Sequence, residues 1–404
     1  MNALKLSFDI SKIPFYAVSY NGQRKSVEID ISHRGIHCAV GYDSHSEPLV
    51  LKGSAAVGDS VEVVLMSHRI ELYINRILVD EEWPIGNCLF EIGGFDGNDT
   101  ITAELYTPQT NEEDSVVAVF DNAEGWKPEE NVFVGDCMPY VRDGEYHILY
   151  LKDRHHHYSK WGMGAHQWAH ISTKDFVRWS VHPMAVEITD PSECSICTGS
   201  WIRHDGIEYL YYTVRRGGSL AAPVRRSISF DGYHFKKDFD FGFELPEKYN
   251  RAVARDPKII KGGDGLFHLI LTTALAKEGR GCLAHFVSRD MDNWQDTGKP
   301  IYVSSDSTEP ECPDYIVYNG RYYLIFSLGG KARYMLSESP FDDWKTPKCP
   351  EISCASVPKG AVWGDKIVFT GFKGIDGYAD TMTFRSAAAD ENGELVFLDS
   401  DSVV

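Results

Sequence analysis

One short apolar strand recurs five times along the last two-thirds of this 404-residue chain. Its copies are Tyr146-His147-Ile148-Leu149-Tyr150, Glu208-Tyr209-Leu210-Tyr211-Tyr212, Leu266-Phe267-His268-Leu269-Ile270-Leu271, Tyr322-Tyr323-Leu324-Ile325-Phe326 and Lys366-Ile367-Val368-Phe369. Several copies continue into a strand, a polar turn and an aromatic, as in Ser172-Thr173-Lys174-Asp175-Phe176-Val177-Arg178-Trp179 and Val287-Ser288-Arg289-Asp290-Met291-Asp292-Asn293-Trp294. Ser229-Phe230-Asp231-Gly232-Tyr233 is a weaker version. Strands rich in aromatic and β-branched residues, with Gly, Asn and Asp between them, exclude a helical repeat. A self-similar all-β unit of roughly 40–60 residues is a propeller blade. The expected fold is therefore all-β, with a five-bladed β-propeller over residues 132–404 and the first strand of each blade lining the axis.

Residues 1–110 carry a different pattern. Ser26-Val27-Glu28-Ile29-Asp30-Ile31 and Ser60-Val61-Glu62-Val63 alternate apolar and polar residues, which reads as an antiparallel β-sandwich of lectin-like type. Residues 111–131, rich in Asn, Glu and Pro, read as the linker.

Three acidic motifs lie about ten residues ahead of three of the recurring strands. They are Gly135-Asp136-Cys137-Met138-Pro139, Arg255-Asp256-Pro257 and Glu311-Cys312-Pro313-Asp314. A repeat that puts a carboxylate at one blade position can bring all three to one mouth of the funnel. Converging carboxylates are what acid–base chemistry on a glycosidic bond requires.

The formal net charge of −19 repels nucleic acid and anionic membrane surfaces and favours a neutral substrate. The first residues lack a basic region followed by an apolar run, and no 18 consecutive residues are apolar, so a cytoplasmic, membrane-free protein is expected. Nine cysteines without a framework suit free thiols, and Cys194-Ser195-Ile196-Cys197 has no second pair to complete a zinc site. His155-His156-His157, His166 and His170 lie in a loop entering a strand rather than on a metal-binding helix. No metal and no other cofactor is expected. The expected partner is a disaccharide or oligosaccharide substrate, and a homo-oligomer is compatible with the chain.

From about Asn131 to Phe397 the chain resembles glycoside hydrolase family 32, the β-fructosidases, which carry an Asp motif in blade one, Arg-Asp-Pro in blade three and Glu-Cys-Pro in blade four. The match in order and in blade is specific, where Arg-Asp-Pro alone would be weak. Further similar segments are Trp161 to His170 in blade one, Thr198-Gly199-Ser200 in blade two and Gly377 to Phe384 in the last blade. The resemblance implies a retaining furanosidase acting on sucrose, sucrose phosphate or a short fructan. It makes Asp136 the nucleophile, Glu311 the general acid and then base, and Asp256 the stabiliser of the transition state. A like charge from Asp314 is expected to raise the Glu311 pKa. Arg255, Asp153, His166, Gln167, Trp168, Thr198, Ser200 and Tyr378 are the expected substrate contacts, with Trp168 able either to stack on sugar or to pack in the core. Arg215, Arg216, Arg225 and Arg226 could meet a phosphate. Two departures stand out. The family's Trp-Met-Asn-Asp-Pro-Asn-Gly is here Phe133-Val134-Gly135-Asp136-Cys137-Met138-Pro139, which supports the chemistry better than the fructose specificity. The sandwich also precedes the propeller instead of following it. An inverting arabinanase or xylosidase type and a non-catalytic carbohydrate-binding propeller are the alternatives.

Overall fold

In the computed structural model of the protein, the chain divides into two compact units, Met1–Asn111 making most of the first and Ser195–Val404 most of the second. The structure describes residues 3–21, 25–42, 47–84, 100–107, 116–156, 166–190, 193–216, 223–353 and 355–398. His157, Trp161 and the rest of 161–165 lie outside the described residues.

The first unit is a sandwich of one five-stranded and one four-stranded antiparallel sheet. Its alternation does what the sequence requires. Val27, Ile29 and Ile31 enter one core with Leu4, Leu6, Val61 and Val63, while Glu28 and Asp30 between them are exposed. The hairpin from Ile70–Ile74 to Ile77–Glu82 turns at Asn75 and Arg76, whose φ angles of 51° and 65° give the twist that suits two-residue hairpins.

The second unit is the propeller. Its inner strands are Val132–Arg142, Glu193–His204, Arg255–Lys261, Glu311–Tyr318 and Ser356–Trp363, and segments of all five line one open axial channel of about 740 Å³. The recurring apolar strand of the sequence is the second strand of each blade. The acidic motifs lie within or open the inner strand before it. The polar signature is one repeated turn. Asp175 Oδ1 accepts from the backbone N–H of Val177 and Arg178, Asp231 Oδ1 from Tyr233 and His234, and Asp290 Oδ1 from Asp292 and Asn293, all at 2.8–2.9 Å.

Ala118–Asp121, within the stretch read as a linker, pairs with Arg178–Val181 as the outermost strand of blade one. A few residues later, the Glu124 carboxylate accepts from the Thr383 hydroxyl and the Phe384 N–H of blade five. The ring closes there, and directly at the axis through the pairing of Val134 with Asp380.

Candidate active site

The inner strands share one irregularity. Register shifts fall between Val134 and Cys137 in blade one, Arg255 and Lys258 in blade three, Glu311 and Asp314 in blade four, and Ser356 and Lys359 in blade five. Such bulges re-aim side chains. Pro257, Pro313 and Pro358 fit them because a bulged residue has no ladder N–H to give up. The residue before each proline is left-handed, with φ of 58° at Asp256, 52° at Cys312 and 46° at Val357. Each such non-glycine residue stores about 1–3 kcal/mol of strain, a feature of functional sites.

Aligning the bulges refines the expectation of one equivalent position. The acids occupy three successive places of the same bulge, with Glu311 first, Asp256 second and Asp136 third. Because the blades are rotated about the axis, this stagger brings the carboxyl groups together. Cys312 ties them. Its thiol lies 3.2 Å from Asp136 Oδ2 and 3.4 Å from Asp256 Oδ2, and its N–H donates to Asp256 Oδ2 at 3.0 Å. Arg255 Nη2 holds Glu311 Oε1 at 2.8 Å, its Nη1 holds Glu309, and its Nε stands 3.7 Å from Asp256 Oδ2.

Asp136 is buried, with 6% of its surface exposed. Thr198 of blade two donates its hydroxyl to Oδ2, and the Tyr378 hydroxyl of blade five donates to Oδ1 at 3.3 Å. Burial pushes the Asp136 pKa above the usual carboxylate range and the Asp256 charge adds to this, while Thr198, Cys312 and Lys359 oppose it. Glu311 is also raised, first by burial, with Arg255 opposing and Asp256 and Asp136 assisting. Asp314, expected to raise it, is not among the main causes of the shift and pairs with Lys258 Nζ at 2.6 Å.

The expected substrate contacts separate into three groups. Thr198, Tyr378 and Arg255 touch the acids. Asp153 and His166 form a buried pair at 3.3 Å on adjacent strands, and Gln167 is buried beside them. Trp168 and Ser200 belong to the scaffold. Trp168 is fully buried, edge-on to Tyr212, with its indole N–H donated to Cys197 O, so it has no open face for a sugar. The Ser200 hydroxyl donates to Pro257 O and accepts from Ile259 N–H, joining blades two and three. Three of the four arginines expected near a phosphate are engaged, and the Arg216 side chain lies outside the described residues. Arg226 pairs with Asp238 and Asp292, Arg225 donates to Phe241 O, and Arg215 donates to Ala252 O.

Sequence reasoning missed Glu309, Lys359 and the bridging role of Cys312. The shared x-Pro at the bulges of blades three, four and five was the available signal. It also missed a buried group, His147, His170 and His182, whose ring nitrogens lie within 4.8 Å of one another. Blade three repeats the pairing, since His147 Nδ1 meets His170 Nε2 at 3.0 Å and His268 Nδ1 meets His285 Nε2 at 2.9 Å. Tyr233 of blade two covers the first group and Phe341 of blade four the second, so these rings pack neighbouring blades together.

A sucrose-6-phosphate hydrolase of Vibrio alginolyticus is 25% identical over 206 residues, covering 48% of this chain and 40% of that protein. A fructan 6-exohydrolase of Beta vulgaris is 25% identical over 249 residues, covering 55% and 38%. The chain thus spans less than half the length of these relatives. Among solved structures, fructan 1-exohydrolase IIa of Cichorium intybus, crystallised with 1-kestose, superposes with a TM-score of 0.59 at 17% identity, over 70% of this chain and 61% of that one. The model of the glycosyl hydrolase family 32 N-terminal domain matches residues 124–347, more than half of the chain and all three acidic motifs. The chain therefore belongs to glycosyl hydrolase family 32.

Proposed function

We propose that the protein is a β-fructosidase that hydrolyses a terminal fructofuranosyl bond with retention. The observation that carries this reading is the meeting of Asp136, Asp256 and Glu311 around Cys312 at the bulges of three blades. Asp136 attacks the anomeric carbon and the leaving oxygen departs, giving a fructosyl-enzyme ester. Glu311 protonates that oxygen. It then takes a proton from the water that opens the ester. Burial raises Glu311, which favours the protonated form the first step needs. The bonds from Thr198, Cys312 and Tyr378 fix the Asp136 oxygens in one orientation for attack. Asp256 accepts sugar hydroxyls and faces the positive charge that develops on the ring.

The names of the relatives support fructosides as the substrate class, and the engagement of Arg215, Arg225 and Arg226 leaves those three without a free face for a phosphate. The test is release of fructose from sucrose, sucrose 6-phosphate and 1-kestose. Turnover of at least one, lost in Asp136→Asn, is the expected result. Turnover of a xyloside or arabinoside alone would overturn the assignment of the sugar.

A further inference from the structure

In blades three, four and five the fourth place of the bulge lines the axial channel, and in two of them it holds a lysine. Lys258 in blade three has its own counter-charge, Asp314 of blade four, at 2.6 Å. Asp314 is completed by the Gly360 N–H at 2.9 Å. Lys359 in blade five is different. It is 2% exposed, and its ammonium donates to two neutral carbonyls, Pro313 O at 3.0 Å and Gly199 O at 3.3 Å. Among the described residues it has no carboxylate within the 4.0 Å of an ion pair. A buried ammonium held only by carbonyls is costly unless an anion lies near it.

Those two carbonyls say where the anion is. Gly199 directly follows Thr198, which donates to Asp136. Pro313 directly follows Cys312, whose thiol donates to the same oxygen of Asp136. Lys359 therefore grips, from the channel side, the two backbone segments that present donors to the nucleophile. Asp314 pairs with Lys258, while Glu309, Glu311 and Asp256 share the single cation of Arg255. Asp136 has no cation at ion-pair distance among the described residues.

We propose that Lys359 is a positioning residue that holds Asp136 as the carboxylate, from behind the site and without touching substrate. This rests on the reading of Asp136 as nucleophile. The groups facing Asp136 are Thr198 from blade two, Asp256 from blade three, Cys312 and Glu311 from blade four, and Lys359 and Tyr378 from blade five. Burial and then the Asp256 charge favour the protonated acid at Asp136, while the Thr198 and Cys312 hydrogen bonds and, after them, the Lys359 charge oppose it. A cation behind the site adds to the Thr198 and Cys312 hydrogen bonds in keeping a nucleophile buried beside a second carboxylate ionised where Glu311 is still protonated. Placing it behind the backbone leaves the pocket open for the sugar.

The test uses the full chain labelled with carbon-13 at the aspartate carboxyls, with the Asp136 resonance identified by its loss in Asp136→Asn. Lys359→Gln keeps a donor for Gly199 O and Pro313 O but removes the charge, and Lys359→Met removes both. In either variant the Asp136 titration moves up by about one pH unit or more. The acid limb of kcat/KM moves up with it, while Lys359→Arg stays near wild type. An unchanged Asp136 titration in a folded neutral variant overturns the proposal. So does failure of both neutral variants to fold where Lys359→Arg folds, since the charge would then serve the fold. If the wild type turns over no fructoside, the proposed function fails, and the titration still decides the role of Lys359.

Discussion

Gly135 and Tyr378 are complementary: a Cβ on residue 135 would lie 2.6 Å from the Tyr378 hydroxyl, which donates to Asp136 Oδ1. The glycine replaces the polar residue expected before the nucleophile, and a side chain from blade five supplies a donor in that space. Gly135→Ala should displace the hydroxyl and lower kcat/KM by up to about a hundredfold, the cost of a small misplacement of a reacting group. Tyr378→Phe should cost roughly tenfold. The double variant should fall well short of the product of the two effects, because both act through one contact. Steady-state kinetics on the best fructoside decide this, and fully multiplicative losses would sink it.

Arg255 makes Glu311 a stronger acid than burial alone would. Its cation favours the ionised form, so removing it raises the Glu311 pKa further. Glu311 acts in its protonated form, and the basic limb of the rate profile follows its ionisation. In Arg255→Met that limb should therefore move to higher pH, by about one unit, with an increased KM if Arg255 also orders the sugar. A basic limb that stays in place or moves down would contradict the pairing.

The Lys258–Asp314 pair predicts a stability effect separate from chemistry. Asp314 is 1% exposed, so Lys258→Met leaves an uncompensated buried carboxylate and should cost about 3–5 kcal/mol. Replacing both residues with apolar ones should recover most of that. Denaturant midpoints of the two variants against wild type provide the comparison. Equal losses in the single and double variants would refute the account.

The buried histidines set how stability responds to acid. Burial lowers the pKa of His147 to about 3 and that of His285 to about 4, while an unfolded chain protonates near 6.5. Below that value the unfolded state binds more protons. Stability should fall as pH drops from about 6.5 towards 4, by about 1.4 kcal/mol per pH unit for each such histidine. The raised carboxyls of Asp136 and Glu311 have the opposite sign, losing stability as pH rises through their folded pKa values. His285→Phe should flatten the acid side of the curve, as measured by thermal unfolding across pH. An unchanged slope would show that the histidines do not drive it.

Much of this was legible from the chain, for physical reasons that differ by element. The recurring strands such as Tyr322–Phe326 are buried on both faces, so each copy carries a strong apolar signal. Asp175, Asp231 and Asp290 repeat because one turn geometry needs one side-chain acceptor. The acids were visible because they sit at one bulge, though their stagger over three places depends on strand register, which sequence spacing alone does not resolve. Lys359 and Glu309 were hidden because their partners lie in other blades. Ser200 misled for the same reason, and Trp168 took the core-packing alternative of the two that its sequence left open. An indole suits stacking on a sugar and a hydroxyl suits hydrogen bonding to one, and only the packing of blade one on blade two, and of blade two on blade three, shows their groups already engaged.

Retention requires that Asp136 form a covalent bond to a fructosyl unit. The most direct measurement is mass spectrometry of the Glu311→Gln variant after reaction with fructosyl fluoride, whose fluoride leaves without an acid catalyst. A gain of one hexosyl unit on the peptide containing Asp136, absent in the Asp136→Asn, Glu311→Gln double variant, is the predicted result. A label on another residue, or turnover by the wild type that inverts the anomeric carbon with no adduct formed, would contradict it.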